Sequence, residues 1–368
     1  MGRFARLCEI SSPTGEEAEV AAEVRRELEG FGLEVFEDDA AVPAGAGAGN
    51  LLTRIPGEGP GWVCFCAHLD TVPHDGPIEV VLDDGIYRSR GETILGADNK
   101  AAVAVLVELA ARHAAGSPAS VGPPATGIEL LFTVAEEQGL RGAAEFDTSL
   151  LKSDVGYVLD HATPIGEVIT AAPTHMAIEA DFTGVEAHAG LKPESGRSAI
   201  AAAASAIDEM ELGRLDDETT ANIGTVEGGT SGNVIPGSCR VGGEARSIDP
   251  DRVIEVIAAM SDAMVWAASE AGCEVDITTY EHFRGYRIPD DARSLAIAEA
   301  ALRSRDYQPE RISTGGGSDA NVFIAEGRDF LLLANGTFEN HTADETVPQA
   351  NLGEMLEICE AIISEAGK

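Results

Sequence analysis

The residues of this chain best suited to chemistry stand where apolar runs stop. In CFCAHLDTVPHDG (64–76) a β-prone run ends at His68, Asp70 follows two positions later, and Pro73 and Gly76 favour a turn. LGADNK contributes Asp98, AEEQG the adjacent Glu136 and Glu137, LDHA Asp160 beside His161, and ENH His341. Singly, each has an ordinary explanation. Asp98 reads as an N-cap, Asp160 as a turn-former, and an isolated histidine as a hydrogen-bonding surface or core residue. The Glu136–Glu137 pair resists that treatment, because neighbouring carboxylates at the mouth of a buried sheet repel one another unless a cation or proton compensates.

Mixed imidazole and carboxylate donors suit zinc and similar borderline metals, and cobalt or manganese accept the same set. Two cations would let a bridging carboxylate share their charge. Adjacent glutamates point differently, so one can ligate while the other stays free as a general base. Asp70, two residues beyond His68, is placed to accept that ring's second N–H and fix its tautomer. The chemistry implied is metal-assisted hydrolysis.

The elements that must position these groups are legible as patterns. WVCFCAHLD (62–70), IELLFTVAEE (128–137), VGYVLDH (155–161) and FLLLANGTFENH (330–341) are each apolar and then abruptly polar. Such runs suit strands buried on both faces of a largely parallel sheet, with NKAAVAVLVELAARHAAG (99–116) as a flanking helix. In open α/β sheets ligands bind beyond the carboxyl ends of the strands, which is where the polar residues collect. Near the N-terminus, Thr14 and Glu17 have capping-box spacing before an amphipathic helix, and AAVPAGAGAGN reads as a flexible turn. GSPASVGPPATG (116–127) is a loop between helix and strand.

From about Met176 to His282 the pattern alternates strand-like and helical segments, which predicts an antiparallel sheet with two helices. The expected architecture is α/β: a catalytic domain in two parts, residues 1–174 and 284–368, with an inserted α+β unit over 175–283.

Composition narrows the partners. With 63 acids against 25 bases the formal charge is -38, which argues against nucleic acid and anionic lipid as partners. No apolar run approaches a membrane span and nothing suggests export, so a cytoplasmic protein is expected. Six dispersed cysteines read as reduced, with Cys64 and Cys66 on one strand face as core residues. TGGGSDAN lacks the GK[ST] ending of a phosphate-binding loop, and no GxSxG elbow occurs.

Together, AHLDTVP, GADNKAAVA, AEEQGLRG, LDHATPIG and the late His341 resemble the cocatalytic zinc peptidase superfamily that includes peptidase T, glutamate carboxypeptidase and the acetylornithine and succinyl-diaminopimelate deacylases. VEAHAG, VEGGTSGNVIP, GEARSID and GGGSDANVF place the resemblance nearest the peptidase T-like branch. The resemblance implies that Asp98 bridges two metal ions, His68 and Asp160 holding one and Glu137 and His341 the other, with Glu136 as general base and Asp70 as the orienting carboxylate. It further implies that His188 polarises the scissile carbonyl and that Asn233 and Arg246 hold substrate; the TGGGSDAN loop itself reads as a backbone contact to the peptide through Gly316 and Gly317, with Ser318 and Asn321 lining it. A ferredoxin-like lid and a homodimer formed through it belong to the same resemblance. Arg246 in a surface ion pair and His188 capping a turn are the plainer readings of those two residues. His161, beside Asp160, and Asn99, where Asp is frequent, depart from the pattern.

The expected function is an aminopeptidase acting on di- or tripeptides. The alternatives are an N-acyl amino acid deacylase or carboxypeptidase of the same architecture, and a non-catalytic peptide- or metal-binding homologue.

Overall fold

The computed structural model describes residues 2–368. The chain divides into two compact units, one made of residues 1–170, 288–313 and 318–368, the other of 171–287 and 314–317.

In the first unit four parallel strands form the centre of the sheet, in the order Gly127–Thr133, Trp62–His68, Val155–His161 and Asp329–Ala334. These are the four runs read from the sequence. Leu51–Ile55 joins antiparallel beside Gly127–Thr133, with Val35–Glu37 beyond it, and Glu167–Ala172 lies antiparallel to Asp329–Ala334. All seven residues of Gly127–Thr133 are buried, as a strand covered on both faces requires. Helix Ala97–His113 supplies one cover: its small and branched residues, among them Ala101, Ala102, Val103, Leu106 and Ala110, lie within the main core. That core also takes in Leu356 and Ile362 of helix Gln349–Ala366.

The second unit has a five-stranded antiparallel sheet ordered Gly213–Asp216, Thr219–Gly228, Ser238–Ser247, Thr174–Thr183 and Glu274–Phe283. Helices Ala199–Glu209 and Pro250–Ala271 pack on it around Ile178, Phe182, Val241, Met260 and Met264. Setting aside the short edge strand, the chain order β-α-β-β-α-β with the first strand between the third and fourth is the ferredoxin-like arrangement. Pro250 at the first helical position, the Asp249 cap accepting from Asp251 N and Arg252 N, and left-handed Gly272 explain the bounds of the long helix.

Three local expectations give way to tertiary contacts. Helix Ala18–Gly30 has no side-chain cap. Thr14 Oγ1 instead donates to Asp70 Oδ2 at 2.7 Å, and fully buried Glu17 accepts the N–H groups of Gly47 and Ala135. The glycine-rich stretch is no loose turn either: a Cβ on Gly47 would lie 2.7 Å from Glu17 N, and one on Gly49 2.1 Å from Asp38 O. Finally, residues 314–317 group with the second unit rather than with the flanking chain, because Arg246 Nη1 donates to Gly315 O at 3.2 Å and Gly317 lies against the ring of Phe283.

Candidate metal centre

The carboxyl ends of the parallel strands deliver the candidate donors, all within the first unit. His68 ends Trp62–His68, Asp160 lies at the end of Val155–His161, and Glu136 and Glu137 follow Gly127–Thr133. Asp98 sits at the start of helix Ala97–His113 but is not its cap. Gly96 holds that position at φ 70°, and Asp98 and Asn99 depart from helical geometry. His341 stands on the loop after Asp329–Ala334, itself at φ 66°.

These side chains converge. His68 Nε2 lies 3.3 Å from Asp98 Oδ1 and 3.4 Å from Asp160 Oδ1, while His341 Nε2 lies 3.0 Å from Asp98 Oδ2 and 3.1 Å from Glu137 Oε1. Asp98 thus turns one oxygen to each imidazole. Donor atoms of His68, Asp98 and Asp160 fall within 4.8 Å of one another, as do those of Asp98, Glu137 and His341, and those of His68, Glu136 and Glu137.

Two adjoining His-carboxylate groups sharing Asp98 fit a pair of divalent cations. The approach of His341 to Glu137 Oε1 is off the hydrogen-bonding direction, so that buried oxygen has no hydrogen-bond partner, as a ligand oxygen would in the protein alone.

The electrostatics of the chain's own groups point the same way. Burial pushes Asp160 up to about 8 and raises Glu136 well above the ordinary carboxylate range. Burial would also raise Asp98, but hydrogen bonds from His341 and His68 outweigh it and hold the group far below its usual value. The hydrogen bond to Asp98 leads, and the adjacent Glu137 carboxylate adds to it, in lifting His341 to about 10. A site in which carboxylates must take up protons, or imidazoles must become cations, lacks positive charge that bound metal would provide.

The loop carrying the two glutamates is held residue by residue. Asn50 Oδ1 accepts Val134 N, Glu17 Oε1 accepts Ala135 N, Asp70 Oδ1 accepts Glu136 N at 3.0 Å, and Asp70 Oδ2 accepts Glu137 N at 3.2 Å. Ala135, at φ 50°, is a non-glycine residue in the left-handed region, a conformation that persists where surrounding contacts impose it. Asp70 therefore does more than the sequence suggested: its carboxylate lies beside the His68 ring and also holds the glutamate loop. Its main-chain oxygen is the nearer partner of His68 Nδ1, at 3.0 Å against 3.5 Å for carboxylate Oδ1, and the carboxylate chiefly binds the glutamate loop and Thr14.

Asp319 is a further residue whose role the sequence did not show. Buried at the start of helix Asp319–Ala325, it accepts Thr133 Oγ1 at 2.5 Å and faces Cys66 Sγ at 3.9 Å, linking the strands that carry the glutamates and His68. Its Oδ1 is buried without a partner, and burial pushes the carboxyl up to about 6. Nothing in the local sequence marks Asn50, Glu17 or Asp319, since their partners are distant in the chain.

The expected substrate residues lie mostly in the second unit. His188 and Asn233 are brought together by the short ladder Ala187–His188 with Val234–Ile235, where Ala189 N donates to Asn233 O. His188 Nδ1 accepts Gly190 N at 3.2 Å, so it does cap its turn, while the residue remains exposed. Arg246 forks onto Glu244 at 3.2 and 3.1 Å, and His175 Nε2 lies 2.8 Å from the same carboxylate; the adjacent His175 imidazole leads in holding Glu244 down at about 2. Gly316 and Gly317 belong to the second unit and Ser318 begins the return to the first. Ser318 is fully buried and its N–H is taken by Asn321 Oδ1, which leaves that N–H no part in binding a peptide. His161 is half-buried, its imidazole pushed down by burial, and it enters none of the three donor groups among the described residues.

Fold and donor set define a metal-dependent hydrolase. The chain belongs to peptidase family M20/M25/M40, whose family model matches residues 64–365. It is 37% identical over 366 residues to the protein YqjE of Bacillus subtilis, covering 99% of this chain and 97% of that one. Among solved structures, the aminopeptidase PepT of Bacillus cereus is 37% identical with a TM-score of 0.87, and a tripeptidase of Staphylococcus aureus 33% identical with a TM-score of 0.91; each alignment covers 99% of this chain and 97% of the other. The similarity runs to the peptidase T-like branch, and this protein is a peptidase of that family.

Proposed function

We propose that the protein is an aminopeptidase that removes the N-terminal residue of di- or tripeptides, using two divalent ions, with zinc the first choice and cobalt or manganese compatible with the same donors. The observation that carries this reading is the division of Asp98, one carboxylate oxygen toward His68 and the other toward His341. The names of the two similar solved structures, an aminopeptidase and a tripeptidase, support the choice of short peptides.

In this reading His68 and Asp160 would hold one ion and Glu137 and His341 the other, with Asp98 shared between them. Bound there, the ions would supply the positive charge that polarises a peptide carbonyl and acidifies water. Glu136, buried and raised in proton affinity, takes the proton of the attacking water onto its carboxylate and delivers it to the departing amine. Asp70 keeps Glu136 and Glu137 in register. His188 steadies the developing oxyanion, and Asn233, Arg246 and the Gly316–Gly317 backbone hold the peptide. The inserted unit acts as lid and as the surface of a homodimer, and the protein works in the cytoplasm.

The test is a hydrolysis screen of metal-replete protein over free-amine tripeptides and their N-acylated counterparts. Release of the N-terminal residue from free-amine peptides is expected. A preference for blocked substrates transfers the assignment to a deacylase, and binding without turnover across the panel to a non-catalytic homologue.

A further inference from the structure

Glu345 has no part in the scheme above, yet its surroundings are unusual for a carboxylate. It is buried, Oε2 accepts the N–H groups of Leu95 at 2.8 Å and Gly96 at 2.7 Å, and Oε1 accepts Asp98 N at 2.9 Å. One side chain therefore fixes the main chain that leads into Asp98, from Leu95 to the Asp98 amide itself. Glu345 itself stands four residues after His341, next to Thr346, which closes the base of the His341 loop through reciprocal bonds with Phe338 at 2.9 and 3.0 Å. Glu345 N also donates to Thr342 O at 3.2 Å, within the same loop. The segments bearing Asp98 and His341, 243 residues apart in sequence, are thus tied by a single carboxylate beside the 3.0 Å contact between Asp98 Oδ2 and His341 Nε2.

Charge makes the placement informative. The charge of Asp98 opposes that of Glu345, and Lys100, buried with Nζ on Ile10 O at 2.5 Å, favours it. The three N–H bonds strengthen with negative charge on Glu345, and cations bound beside Asp98 would favour the same charge.

We propose that Glu345 is a positioning residue that locks Asp98 and His341 into one preformed cation-binding pair. The inference rests on the two-metal reading of the site. Three N–H bonds leave the 95–98 turn little freedom, so the split of the Asp98 oxygens is set before metal arrives. Supporting groups around a metal ligand commonly change metal affinity ten- to a hundredfold when removed.

The experiment is a competitive zinc titration against a chromophoric chelator, with thermal melts of the metal-free proteins, on wild type, Glu345→Gln, Glu345→Asp and His341→Ala. Glu345→Gln turns one accepting oxygen into an NH2 group facing an N–H donor. Its weaker zinc site is expected to lose about ten- to a hundredfold in affinity. Because Asp98 is shared, the tighter site should weaken as well, but by less than the site that also depends on His341, so that the variant moves toward the behaviour of His341→Ala. Peptide kcat should fall with KM little changed, and raised zinc should restore it. Glu345→Asp, charged but shorter, should fall between, and it carries the test should Glu345→Gln not fold. Two zinc sites of wild-type affinity in Glu345→Gln, or equal loss of both in proportion to the unfolded fraction, overturns the proposal. A wild-type chain that binds two zinc ions but cleaves no peptide removes the aminopeptidase reading while the titration still decides Glu345. One that binds no zinc removes both.

Discussion

Asp70 Oδ1 accepts the backbone N–H of Glu136 at 3.0 Å, while Oδ2 accepts that of Glu137 at 3.2 Å and the hydroxyl of Thr14 at 2.7 Å. The residue two positions after a candidate ligand therefore sets the place of the candidate base through the main chain. Asp70→Asn presents an NH2 group to at least one of these donors and lets the glutamate loop shift. Because misplacement by about 1 Å can cost a hundredfold, a fall of about that size in kcat/KM is expected. Steady-state kinetics on a tripeptide check it, and an unchanged value would show that the loop does not depend on Asp70.

Glu136→Gln keeps the shape of the side chain and removes its proton affinity. Glu136 lies outside both donor groups that share Asp98. The variant should retain metal by elemental analysis while losing about 10²- to 10⁴-fold in kcat, the usual contribution of a positioned acid–base group. Loss of metal together with activity would instead make Glu136 a ligand.

Metal removal should destabilise the protein, since Asp98, Glu137 and Asp160 then face one another with only imidazoles between them. Returning zinc at about a hundred times the dissociation constant of a site is expected to add about 2.7 kcal/mol for each site filled. Urea unfolding of chelator-treated and reloaded protein gives the difference. Equal midpoints would count against a structured metal centre.

A separate pH dependence of stability comes from His113, whose ring lies between two acceptors, Glu360 Oε2 at 2.8 Å and Gly122 O at 3.0 Å. Burial alone would depress the imidazole, but these acceptors outweigh it and raise it above its ordinary value. The folded state then holds the proton more tightly than the unfolded chain. The stabilisation is complete below the unfolded pKa and disappears as pH rises through the folded one. His113→Gln should cost about 1 to 2 kcal/mol near pH 6, where a charged hydrogen bond is lost, and distinctly less near pH 9. A cost that is larger at alkaline pH reverses the sign and refutes the assignment.

The strands, and the polar groups that stand at their ends, are legible in the order of residues alone. A strand covered on both faces must be apolar throughout, so the abrupt change at His68, after Thr133, at Asp160 and after Ala334 marks both the element and the polar group it delivers. The alternating segments between Met176 and His282 announced a second sheet for the same reason, since a sheet with one open face imposes a period of two.

How those groups are braced emerges only once the chain has folded. Thr14 and Glu17 have the spacing of a helix cap, yet each satisfies a more distant partner, and the bond from Ala135 N to Glu17 spans 118 residues. Asn50, Asp319 and Glu345 act through main-chain N–H groups or buried hydroxyls, which every stretch of chain offers alike. Residue type therefore carries no mark of such a partner. Burial selects it, because each N–H removed from water must find an acceptor, and which acceptor is near depends on packing between segments as far apart as Leu95 and Glu345.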